Sequence, residues 1–245
     1  MVIPGKPIRI LREYTRYRFK LVCCKSSEKN RFQNAFTVCN VALDAVVSDM
    51  FGKSASSITD YLVSSDSFDP VHCSYLLQKS LKKKADTVIK SIEGYQMTRE
   101  QKERIVMVRS HLEFIQQSIA KLDEKLDKMV SPYESAITLL CTIPGVNRVT
   151  AHHHHLRDWY GYMSQFVNSK RLCCWAGLTP SNNESAGKKK SVRITRAGVY
   201  LKPALVQVAH AAVKSDKAPY YKIKYEHLYK RRALIAIARM ILTAI

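Results

Sequence analysis

The residues of this chain best suited to chemistry are basic, and they crowd into its last third. Lys170 and Arg171 open a stretch that continues through Glu184-Ser185-Ala186-Gly187 into Lys188-Lys189-Lys190, Arg193 and Arg196. Residues 170–245 hold 16 Lys and Arg against three acids, Glu184, Asp216 and Glu226, a net of +13 in a chain whose formal net charge is +20. Ammonium and guanidinium groups at that density attract polyanions and release counterions as phosphates replace them. Ser185 lies in a glycine-containing segment beside three lysines, so charge that could neutralise a phosphodiester is at hand. A serine nucleophile also needs activation, and no Asp or His neighbours Ser185 in sequence to act as a base. On residue type alone it reads as a loop serine.

A second basic stretch opens the chain. Nine Lys and Arg between Lys6 and Arg31, among them Arg9, Arg12 and Arg16, stand against Glu13 and Glu28. Tyr14, Tyr17 and Phe19 interleave with them. Such a stripe either grips phosphates while its rings pack on sugar or on a partner helix, or forms a solvated helix face. His152 to His155 raise the question of zinc, but successive helical residues point about 100° apart and cannot all converge on one ion. Codons for His152 to Tyr162 can be chosen so that the same bases, shifted by one, encode an amphipathic helix, and a frame slip is the expectation there. The seven cysteines include the adjacent pairs Cys23-Cys24 and Cys173-Cys174 but no C-x-x-C. Reduced, mostly buried thiols and no metal site are expected. No apolar run approaches the roughly 18 residues that span a bilayer, and no signal-peptide pattern opens the chain. The expected location is the cytoplasm.

The elements that must position these residues read as mainly α. Residues 7–51 form one long helix or two abutting ones, because neither Gly nor Pro interrupts them after Pro7. Phe32, Phe36, Cys39, Leu43, Val46 and Met50 step by 3 and 4 and are expected on one helical face. Shorter helices and loops follow over 52–98, with a basic knot at Lys82-Lys83-Lys84. Thr98 and Gln101 make a capping-box pattern at the start of a new helix. From there Ile105, Val108, Leu112, Ile115, Ile119, Leu122, Leu126 and Met129 form an a/d heptad seam. So narrow a stripe needs a partner, either the N-terminal helix folded back or the same helix of a second chain. Ser131-Pro132-Tyr133-Glu134 is expected to cap and restart the chain, which divides it into a helical, coiled-coil arm (1–130) and a compact helical domain (131–245). In that second part, residues 139–147 resemble a helix-hairpin-helix. Gly145 permits its tight turn, and free N–H groups at the next helix start could bind a phosphate. Asn147 stands where that motif usually has a second Gly.

Five features occur in order: Ile143-Pro144-Gly145; Phe166 followed by Ser169-Lys170-Arg171-Leu172; Gly177-Leu178-Thr179-Pro180; Glu184-Ser185-Ala186-Gly187 with its basic run; and Arg196-Ala197-Gly198. Together they resemble the C-terminal domain of the IS110/IS116/IS902 family of insertion-sequence transposases. The resemblance implies that Ser185 occupies the position of a serine that attacks a DNA phosphodiester and forms a phosphoserine link. It implies magnesium held by four acids of a RuvC-like domain, and in some members a structured guide RNA. That domain has no counterpart here, so the chain is expected to be a truncated copy, without a cofactor of its own and inactive alone. The expected partners are the DNA of element ends and target, a guide RNA and a second copy through the helical arm, with no membrane. The alternative readings are a catalytically inactive nucleic-acid-binding module and a non-functional remnant of an insertion element.

Overall fold

The computed structural model describes residues 5–65, 67–151, 166–180, 183–189, 194–195, 199–228 and 230–245. The chain divides into two compact units, Met1–Tyr17 with Leu122–Ile245, and Arg18–Lys121. The division falls within two long helices, α1 (Lys6–Val38) and α5 (Arg99–Val130), which therefore contribute to both units. The His152–Tyr162 stretch, and the frame slip expected there, lie outside the described residues.

The unit Arg18–Lys121 is built on the second part of α1 and the first part of α5. Between them lie α2 (Lys53–Ser64), α3 (Pro70–Leu76), α4 (Ala85–Lys90) and two 3-10 turns, Leu43–Ala45 and Lys79–Lys84. Phe32, Phe36, Leu43, Ile58, Leu62, Leu77, Ile92 and Ile105 share its core. Phe36 of α1 and Ile105 of α5 share this core, and Glu28 and His111 of the same two helices meet at 3.3 Å. Glu28 is only 4% exposed, and Arg31, one turn on, also pairs with it. The stripe from Phe32 to Met50 is core as expected, except that Val46 is only half-buried. It is not one helical face, however. Asn40 enters the left-handed region at φ 61°. The Asn40 N–H then donates to the Thr37 carbonyl (3.0 Å) and the Val41 N–H to the Phe36 carbonyl (3.0 Å), the pair of bonds that closes a helix at a left-handed residue. Leu43 therefore reaches the core from a 3-10 turn. The Thr98–Gln101 capping box forms in both directions, at 2.8 and 3.3 Å. Arg109 ties α5 to α2 by pairing with Asp60 and donating to the Ser56 hydroxyl at 3.0 Å.

The unit Met1–Tyr17 with Leu122–Ile245 joins both helix ends to α6 (Glu134–Cys141), the short α7 (Arg148–Thr150), α8 (Ser169–Trp175), α9 (Leu201–Val213), α10 (Pro219–His227) and α11 (Lys230–Ala244). Leu11 of α1, Leu126 and Val130 of α5, Leu205 and Val208 of α9 and Ile237 of α11 lie in one core. In both units, then, the seam of α5 meets α1 of the same chain, the first of the two partners that the sequence allows. The expected cap at Ser131 does not form. Ser131–Tyr133 is a 3-10 turn without side-chain capping, and Glu134 is drawn instead into a two-pronged ion pair with Arg148, its second contact 2.8 Å. The thiols also differ from expectation. Cys39, Cys73 and Cys173 are buried, whereas Cys23, Cys24, Cys141 and Cys174 are exposed, and all are free. Burial pushes the Cys39 and Cys73 thiols above their ordinary pKa. Among the described residues, no helix is long and apolar enough to cross a membrane.

Candidate nucleic-acid interface

Ser185 does not sit in an open loop. Glu184–Ser185 (β1) pairs antiparallel with Lys188–Lys189 (β2), in the register Glu184 to Lys189 and Ser185 to Lys188. The two-residue connection is Ala186-Gly187, with φ 52° and 72°. Positive φ at both positions is the type I′ pattern, whose twist matches that of a hairpin. Glycine adopts it freely, whereas Ala186 carries a strain of roughly 1–2 kcal/mol. Directly opposed residues in a hairpin project from the same face, so Ser185 and Lys188 stand side by side, both exposed. Outside the hairpin, at a point termed the ribbon's base, Pro180 forms an isolated bridge with Ile194 and the Thr195 N–H donates to the Thr179 carbonyl at 3.3 Å. Lys190, Arg193 and Arg196 lie outside the described residues, and of Lys189 only the backbone is described.

Helix α8 launches this ribbon. Asn168 caps its start, with Oδ1 accepting from the Arg171 N–H at 3.0 Å. Lys170 and Arg171 are exposed in that first turn, while Leu172 and Cys173 are buried. The helix stops at Gly177, φ 70°. Its N–H donates to the Cys174 carbonyl, and the Leu178 N–H donates to the Cys173 carbonyl, both at 3.0 Å. The glycine supplies the left-handed residue, buried Leu178 the hydrophobic contact after it, and Pro180 the start of the ribbon. Trp175, 52% exposed, rests against Phe166 with ring centroids 5.6 Å apart. At the far end of the ribbon, Lys202 of α9 donates to the Thr195 carbonyl at 3.1 Å. The Arg16 guanidinium lies 5.4 Å from the ring centroid of Tyr200. Arg9 and Arg16 are exposed, two turns apart on α1, and Arg12 is half-buried and engaged. The structure thus gathers Arg16, Tyr200 and Lys202 near the ribbon's base.

Gly145 serves a different purpose. Ile143-Pro144-Gly145-Val146 is a type II turn: the proline precedes a glycine at φ 86°, and the Val146 N–H donates to the Ile143 carbonyl at 3.0 Å. A Cβ on Gly145 would meet the Val208 carbonyl oxygen at 2.4 Å and the Ala212 nitrogen at 2.7 Å. The turn therefore presses on the backbone of α9. From Lys202 to Val208–Ala212 is about 9–15 Å along the helix axis at 1.5 Å per residue, so Gly145 packs well away from the ribbon's base. Asn147 accounts for the departure from a second glycine. Its Oδ1 accepts from the Thr150 N–H at 2.8 Å and caps the next helix. That cap and the Glu134–Arg148 pair occupy the helix start that the sequence offers to a phosphate. Sequence reading missed Asn168, Tyr200 and Lys202 and the capping role of Asn147, although Asn three residues before the N–H it caps is a local signal for both asparagines. No three His, Cys, Asp or Glu side chains among the described residues come together as a metal site. They do not fit the magnesium that the family resemblance implies.

The described residues thus form a helical unit that carries an exposed hairpin with Lys188 on it. Residues 137–226, from α6 through most of α10, match the model of the transposase IS116/IS110/IS902 family, and in this segment the chain is similar to that family. The match spans Gly145, α8, the ribbon and α9. No curated protein matches the chain.

Proposed function

We propose that the ribbon Thr179–Thr195 and the first turn of α8 bind the DNA backbone, and that Ser185 is the nucleophile. The observation that carries this reading is the register: Ser185 stands directly opposite Lys188 on an exposed hairpin, inside the segment that matches a transposase family. A phosphodiester at Ser185 would place its non-bridging oxygens against the Lys188 ammonium. Attack forms an Oγ–P bond as the P–O bond to the departing strand breaks. The departing oxygen gains a proton, and the seryl hydroxyl loses one. Lys170, Arg171, Lys189, Lys190, Arg193 and Arg196 extend the charge along the bound strand, and Arg9, Arg12 and Arg16 add to it from α1. Gly145 is an indirect contributor that holds α6 and α7 on α9. Trp175 and Phe166 offer a ring face on which an unpaired base can stack, which suits a structured guide RNA as well as distorted DNA. A second copy would meet the helical arm, where Met107 and Phe114, one heptad apart on α5, are exposed.

A non-catalytic binding module is the second reading. What favours it is that, among the described residues, the Ser185 hydroxyl has no hydrogen-bond partner to act as its base.

One experiment separates the two. The chain is incubated with element-end DNA and magnesium, alone and with a full-length family protein whose own serine is Ala. The expected result is a covalent protein–DNA adduct in the mixture, lost in Ser185→Ala while DNA binding is kept. Replacing Lys188, Lys189 and Lys190 with Ala should lower the slope of log affinity against log salt by about 1 per lysine that contacts phosphate. Binding without any serine-dependent adduct would leave the binding module, and an unchanged salt slope would remove the ribbon from the interface.

A further inference from the structure

The basic knot at Lys82-Lys83-Lys84 has no part in the transposase segment, yet the fold gives it a setting. In the unit Arg18–Lys121, the 3-10 turn Lys79–Lys84 faces the start of α2 across an open cleft of about 480 Å³. Three lysines line it: Lys53 from the first residue of α2, and Lys79 and Lys84 from the two ends of the 3-10 turn. None of the three is paired with a carboxylate among the described residues. The one acid in the lining, Asp49, is already engaged, its Oδ1 accepting from the Phe51 N–H at 3.0 Å. Lys82 and Lys83 continue the charge outside the cleft, both exposed. The cleft's fourth wall, Val46, Val47, Ala55 and Leu81, is apolar and lowers the local dielectric. The 12-residue α2 also begins at Gly52, which has no side chain to cap it, so the N–H groups of its first turn add to the positive field.

We propose that this cleft binds the sugar-phosphate backbone of a nucleic acid, as a second site separate from the ribbon. The ligand chemistry follows from the lining. Ammonium groups are point charges suited to phosphate, and no guanidinium fork or aromatic ring lines the cleft to read a base. A single small anion would need only the cleft. The row from Lys79 to Lys84 extends about 10 Å at the roughly 2 Å rise of a 3-10 helix, the length of several phosphates along one strand. The site reads charge and spacing, so it is sequence-independent. The duplex of an element end and a structured RNA present the same group, and the test distinguishes them.

The test is a lysine-acylation footprint on the intact chain, read by mass spectrometry, with a 20-base-pair duplex DNA, with a stem-loop RNA and with neither. Lys121, exposed on α5 in the same unit, is the internal control. Protection of Lys53, Lys79 and Lys84 by either ligand is expected; protection by RNA alone assigns the site to RNA, and by duplex DNA to DNA. Equal reactivity of these lysines and Lys121 with both ligands at saturation overturns the proposal. In parallel, the triple variant Lys53→Ala, Lys79→Ala, Lys84→Ala is compared with the Lys188→Ala, Lys189→Ala, Lys190→Ala variant, each checked for native helicity by circular dichroism. The cleft variant should lower the salt slope of the protected ligand by about 2–3. If only the ribbon variant weakens binding, the cleft proposal fails and the ribbon reading survives. If only the cleft variant does, the outcome is reversed.

Discussion

The two units of this chain solve the same packing problem with different side chains. The core of Arg18–Lys121 is filled by large groups, Phe32, Phe36, Leu43, Ile58, Leu62 and Ile92, set between short helices. That of the other unit also holds large groups, such as Leu126, Leu205 and Ile237, but is richer in small ones, with Ala151, Ala176, Ala209, Ala212 and Ala238 buried, and it lets a glycine turn press on the backbone of α9. Large side chains make the first core depend on volume, so that deleting atoms leaves a cavity. Close backbone approach makes the second depend on the absence of atoms, so that adding them is what harms it. Charge divides in the same way. The unit with small core residues carries 24 Lys and Arg against 9 acids, and the other carries 16 against 11. Several of the latter's ions pair with each other, as Arg109 does with Asp60 and Arg31 with Glu28. One unit thus uses its charges partly as internal ties, and the other carries the larger excess of positive charge.

The largest effect should come from emptying the first core. Phe36, fully buried, packs edge-on against Phe32 with centroids 5.1 Å apart. Phe36→Ala should cost about 3–5 kcal/mol, because the ring leaves a cavity that its neighbours fill only in part. Both tryptophans, Trp159 and Trp175, belong to the other unit, so their fluorescence reports on that unit alone. Helicity followed by circular dichroism should be lost at lower temperature while the tryptophan transition stays in place. If both probes move together, the units unfold as one and the contrast between them is lost.

Filling space should be the next most harmful change. Gly145→Ala sets a methyl 2.4 Å from the Val208 carbonyl oxygen at a backbone φ of 86°. Overpacking of about 1–3 kcal/mol and roughly 1–2 kcal/mol for the left-handed backbone together predict a loss of about 2–5 kcal/mol. This time the tryptophan transition should fall. A variant that melts like the parent would show that the turn does not press on α9.

What could be read from the sequence follows the same division between local and distant causes. The Thr98–Gln101 box and the α5 seam rest on residues three and four apart, and both stand in the fold. The Phe32–Met50 stripe correctly marks core positions, since burial leaves a periodic trace. The helix that carries it ends early because Asn40 can take a left-handed backbone that periodicity does not register. The Ser131 box did not form, and its Glu134 pairs instead with Arg148, 14 residues further along the chain. Gly145 could be read as a turn glycine, but its neighbours on α9 are some sixty positions distant. Ser185 could be found only by resemblance. Its strands are two residues each and lysine-rich, and their turn sets alanine where glycine or asparagine is usual, so no strand signal marks them.

That last anomaly gives the smallest of the expected effects and bears directly on the candidate site. A type I′ connection asks for positive φ at both of its residues, and Asn-Gly is the pair that meets the demand at least cost. Ala186-Gly187 meets it without strain at one position only, Gly187. Ala186→Asn should relieve part of the strain and stabilise the hairpin by a few tenths to about 1 kcal/mol, since Asn tolerates the left-handed region far better than Ala. Ala186→Val should act in the opposite direction, because a β-branched residue resists that backbone more strongly still. Neither change touches a core, so the tryptophan and helicity transitions should hardly move. The readout must be local: amide exchange at the ribbon, which should slow in the Asn variant and speed up in the Val variant. Exchange that is fast and equal in both would mean that the ribbon is not formed in the free protein. Lys188 would then not stand beside Ser185 before DNA binds, and any such pairing would depend on the ligand to order it.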